Sequence, residues 1–72
     1  MNLEEQIAAL EELRRKSQML HERAIQSLTL LRVGQPLDAY YTERMTTHAR
    51  EAGALVTKLH NHATGQPQPQ NG

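Results

Sequence analysis

At 72 residues the chain is long enough for one small domain and no more. Eight basic residues balance eight acidic ones, which argues against a nucleic-acid binder held by bulk charge and against a polybasic membrane anchor. The absence of cysteine excludes a disulfide scaffold and a thiolate zinc site, no signal-peptide stretch follows Met1, and no apolar run approaches the ~18 residues of a membrane span.

The first helix is predicted from about residue 3 to about residue 32. Asn2 stands as an N-cap, and Glu5 three residues later completes a capping-box spacing. Glu4 and Glu5 in the first turn and Arg32 in the last suit the helix dipole. Its apolar stripe reads Leu3, Ile7, Leu10, Leu13, Ser17, Leu20, Ala24, Leu28 and Leu31, a heptad-like seam weakened at Ser17. Glu11 with Arg15 and Glu12 with Lys16 are ion pairs in the favourable order on a solvated face.

Gly34 is placed as a left-handed stop and Pro36 as a breaker, so the turn spans 33–36 and forces antiparallel neighbours. The second helix is predicted to begin near Pro36 to Asp38 and to run over about 37–64. Its seam is Tyr41, Met45, His48, Ala52, Leu55, Leu59 and His62, flanked by Ala49, Val56 and Ala63. Gly53 lies mid-helix, where glycine costs about 1 kcal/mol against alanine. It either admits a close helix or faces solvent. The stretch QPQPQNG that follows has two prolines and no large apolar side chain, the composition of a disordered tail. The fold class is therefore all-α. It is a two-helix antiparallel coiled-coil hairpin over residues 1–64, with a disordered C-terminal tail over 65–72.

A lone hairpin buries a single seam, and small cores rarely supply more than a few kcal/mol. Met19, Ile25, Leu30, Val33, Leu37 and Tyr40 fall outside the predicted seam. Leftover apolar surface of that kind marks a partner site or self-association. By elimination, the protein-binding candidates are Ile25, Leu30, Val33, Leu37 and Tyr40.

Reactive chemistry finds little support. His60 and His62 are two apart and diverge by roughly 200° on a helix. His21-Glu22 opens like a zincin motif, but Ile25 stands where the second histidine belongs. His48 and His62 read as seam histidines with satisfied hydrogen bonds, able to make assembly weaken toward acid pH. There is no nucleophile triad, phosphate loop or enclosing cleft, so neither catalysis, cofactor nor metal is expected. The run Arg14-Arg15-Lys16 spreads over diverging faces beside Glu11 and Glu12, a solvated surface and not a nucleic-acid patch.

The opening Leu3-Glu4-Glu5-Gln6-Ile7, and Arg32-Val33-Gly34 followed by Tyr40, resemble the YscE-type proteins, small co-chaperones of the type III secretion needle subunit. The resemblance spans about residues 3 to 63. It implies a bacterial cytoplasmic protein without enzymatic activity. Its partners would be a helical-repeat chaperone of the tetratricopeptide type and the needle subunit that the two together keep soluble. The alternative is a homodimeric four-helix-bundle regulator, either RNA-binding or a phage-type inhibitor.

Overall fold

The computed structural model describes residues 1–65, so the expected disorder of the QPQPQNG stretch lies outside the described residues. Two helices, α1 (Leu3–Arg32) and α2 (Ala39–Thr64), pack together as a hairpin. At about 1.5 Å per residue they are roughly 45 and 39 Å long.

Each helix end is set by local chemistry. The Asn2 side chain accepts from the Glu5 amide at 2.8 Å, and the Glu5 carboxylate accepts from the Asn2 amide at 3.1 Å. This reciprocal capping box opens α1 where the spacing predicts it. At the other end Gly34 adopts a left-handed φ of 84°. The Gln35 amide then reaches back to the Leu30 carbonyl (2.9 Å) and the Gly34 amide to Leu31 (3.1 Å), a Schellman pair that satisfies two orphan carbonyls. α2 closes on Gly65, again left-handed.

The second helix starts later than its composition suggests. Asp38 is the N-cap, its carboxylate accepting from the Tyr40 amide at 2.7 Å. A capping aspartate must leave helical geometry to bring its carboxylate over the first free amides. Pro36 and Leu37 therefore belong to the connection and not to the first turn.

The seam of α2 follows expectation from Tyr41 through Met45, His48, Ala52, Leu55 and Leu59, all half-buried or buried. At its far end the expected His62 is exposed and Asn61 is buried in its place. The seam of α1 is a correction. The inward residues are Gln6, Ala9, Leu13, Lys16, Leu20, Arg23, Ser27 and Leu30, spaced by alternating steps of three and four. Leu3, Ile7, Leu10, Leu28 and Leu31, assigned to the seam from the sequence, are exposed instead. So α1 is turned by one residue, about 100°, from its most apolar phase.

Side-chain volume supplies the reason. Lys16 Nζ bridges to Glu51 at 3.2 Å, which places the two residues at about the same level. In that register Ala9 lies near the level of Leu59, Lys16 near Ala52 and Ser27 near Tyr41. Small residues thus face large ones, which lets the helices approach without an eclipsed clash of leucines. The consequence is a thin and polar interior. Among the described residues Ala9 is the one buried hydrophobic, beside Ser27, His48 and Asn61.

Candidate protein-binding surface

The five candidates taken from the sequence all lie toward the loop end, but not equivalently. Val33 is 70% exposed and Leu37 and Tyr40 are more than half exposed. Ile25 is about half exposed. Leu30 is half-buried, because it is the last inward position of α1. Met19, also expected outside the seam, is half-buried beside it. Ile25 and Leu30 share a shallow, open depression with Gln26, Thr29 and Tyr41.

Tyr40 and Tyr41 are arranged around a cation. Their ring centroids are 5.9 Å apart, tilted by 55°. The Arg23 guanidinium lies 5.9 Å from the Tyr40 centroid and 5.3 Å from that of Tyr41. Arg23 is itself an inward position of α1, so its stem is packed while its planar head meets both rings. Tyr41 is half-buried on the seam, whereas Tyr40 presents its outer edge to solvent. The loop end therefore offers aliphatic side chains and one rigid, exposed aromatic.

Charge collects on one broad side of the hairpin. Arg15 Nη2 and Glu12 Oε1 are 2.6 Å apart, and Lys16 Nζ lies 3.7 Å from the same carboxylate. Arg15 thus pairs with Glu12, three residues back, and not with Glu11 as its spacing suggests. The hydrogen bonds from Arg15 hold the Glu12 carboxyl below its ordinary value, and Glu12 raises Arg15 in return. Glu51 closes the network across the seam through Lys16.

The opposite broad side is apolar, and sequence reasoning did not find it. In an antiparallel pair of right-handed helices, residues one step beyond each seam fall on the same side. That places Leu3, Ile7, Leu10, Leu28 and Leu31 of α1 beside Ala49, Val56 and Ala63 of α2. Leu3 is 70% exposed, and Ile7, Leu10, Leu28, Leu31 and Val56 are about half exposed. A β-carbon built on Gly53 would meet nothing within 4 Å, so this glycine faces open space and not a neighbouring helix. The signal that was available is the second, less greasy heptad phase in α1, with Lys16 positioned to reach Glu51.

His48 departs from expectation. It is 1% exposed, and neither ring nitrogen has a hydrogen-bond partner. The predicted satisfied hydrogen bond is therefore absent, and Ser27 Oγ and Arg44 Nε are likewise buried without a partner. His62 is exposed, with Nδ1 3.4 Å from the N-terminal amine. No group of three or more potential metal ligands occurs among the described residues, and neither helix is long and apolar enough to cross a membrane.

No protein family, curated protein or solved structure matches this chain.

Proposed function

We propose that the chain is a non-enzymatic protein-binding module. Its loop end docks on a helical-repeat chaperone, and the pair helps keep a type III secretion needle subunit soluble. The observation that carries the proposal is the combination of Ile25, Val33, Leu37 and Tyr40, half or more exposed, on a hairpin with Ala9 as its one buried hydrophobic among the described residues. Such a hairpin gains stability from any partner that covers this end, because binding to the folded state alone shifts the folding equilibrium. Tyr40, with its ring held by Tyr41 and Arg23, suits the rigid aromatic anchor that dominates many interfaces. The choice of a secretion chaperone rests on the resemblance at Leu3–Ile7 and Arg32–Gly34.

Co-expression with a tetratricopeptide-repeat chaperone and its needle subunit tests the proposal. A complex of the three chains is expected to co-purify. Leu37→Glu and Tyr40→Glu should each weaken it by about 10- to 100-fold while leaving helicity unchanged. A complex indifferent to both substitutions, or no complex at all, defeats the proposal.

A further inference from the structure

We infer that the apolar broad side formed by Leu3, Ile7, Leu10, Leu28, Leu31 and Val56 is covered by a second copy of this chain. The two hairpins face each other across a two-fold axis with their turns at opposite ends. This surface shares no residue with the loop-end candidates and stands independently of the chaperone proposal.

The pattern of the face is its own complement. On α1, the positions one step beyond the seam are symmetric about Ser17. Running a second α1 antiparallel over the first sets Leu3 against Leu31, Ile7 against Leu28 and Leu10 against Ala24. Ser17 then meets Ser17 of the second copy. Every large apolar side chain of α1 on this face finds an apolar counterpart, and the crossing point carries a small residue that allows close approach.

The same axis suits α2 as well. The Lys16–Glu51 bridge puts Ser17 at about the level of Arg50, next to Ala49. Ala49 lies on the same broad side, so a second small residue sits on the axis beside the first. Val56 then lies over Thr42 of the second copy, and the open space at Gly53 lies over Thr46. The Thr42 and Thr46 hydroxyls already donate to the Ala39 and Thr42 carbonyls, so covering them strands no hydroxyl proton.

On α1 the polar groups of the face are central, and on α2 they are Thr42, Thr46 and His60. Arg14 and His21 flank Ser17, and across the axis each Arg14 meets the imidazole of the second copy, an acceptor when neutral. No acidic residue lies on this side of α1, whereas the opposite side holds Glu12 and Glu51. Two copies together bring ten half-exposed or more exposed leucine and isoleucine side chains into one layer. A specific interface must cover on the order of 1,000 Å². The result is a four-helix bundle whose inner layer supplies the apolar core that the hairpin lacks.

The experiment uses the full chain, whose lack of cysteine makes single cysteine variants clean probes. Sedimentation equilibrium is expected to give a dimer, and Leu10→Glu, at a position exposed in the single hairpin, should weaken it at least about 10-fold. Ser17→Cys and Ala49→Cys should each form a disulfide-linked dimer under mild oxidation. Leu3→Cys should link only when mixed with Leu31→Cys. A chain that stays monomeric at about 100 µM overturns the inference. So does any dimer in which Ser17→Cys fails to cross-link, including one linked through Val33→Cys with both turns at one end. Leu37→Glu should leave the dimer intact, which separates failure here from failure of chaperone binding.

Discussion

The two broad sides of the hairpin are built from equal lengths of the same helices and carry opposite chemistry. One holds the Arg15–Glu12–Lys16–Glu51 network, with each charge answered within 4 Å. The other holds Leu3, Ile7, Leu10, Leu28, Leu31 and Val56 in open view of solvent. The charged side is complete in one chain, because ion pairs at a wet surface need nothing further. The apolar side is not, because exposed hydrocarbon at this density is stabilised only by being covered. The seam of α1 follows volume and charge fit rather than maximum hydrophobicity, which leaves its greasier stripe exposed.

The largest expected effect tests whether the seam is the true core. Leu55→Ala, on the half-buried seam of α2, is expected to cost about 2–3 kcal/mol, whereas Leu28→Ala on the apolar side should cost far less in a monomeric hairpin. Thermal melts followed by circular dichroism at low concentration separate the two. Equal losses would mean that Leu28 is as buried as Leu55, and a larger loss at Leu28 that the inside and the apolar side have been exchanged.

His48→Leu comes next in size and has the opposite sign. It replaces a buried ring with two unpartnered nitrogens by hydrocarbon of similar bulk, and should stabilise by about 1–2 kcal/mol. A falling melting temperature would show that the imidazole has a partner in solution.

Gly53→Ala should stabilise the hairpin by about 0.5–1 kcal/mol, since the added methyl meets open space and the helix gains propensity. The gain should shrink at concentrations where a second copy closes over that position. Equal gain at every concentration would place Gly53 outside any interface.

The smallest effect belongs to the charged side. Glu12→Gln removes the acceptor for Arg15 and Lys16, and exposed pairs of this kind contribute little. Because the folded-state carboxyl titrates below its ordinary value, its contribution is present at neutral pH and disappears as pH falls through that lowered value. Wild-type and Glu12→Gln melts should therefore differ slightly near pH 7 and converge in acid. A gap that widens on acidification contradicts the pairing.

Of the fold, both ends of α1 and the close of α2 were the most readable part, since a capping box and left-handed glycines act through neighbours in sequence, whereas the capping role of Asp38 was missed and the start of α2 was set too early. The α2 seam was readable because Met45, His48, Ala52, Leu55 and Leu59 admit one heptad phase. The α1 seam was not, because its residues admit two phases one step apart that share Leu13 and Leu20. The loop-end candidates came by elimination and stand exposed apart from Leu30, which the true phase turns inward. The apolar side escaped notice for the same reason, its leucines having been assigned to the interior.

Residue order alone determined two capped helices, a tight antiparallel turn and a surplus of hydrocarbon over what one hairpin can hide. All of these depend on interactions within a few residues of one another or on simple counting. Only the packed pair decided which stripe of α1 turns inward. That choice rests on small or polar Ala9, Lys16 and Ser27 lying at about the levels of Leu59, Ala52 and Tyr41, and complementary volume between distant segments is not what ranks the two phases that the periodicity of α1 admits.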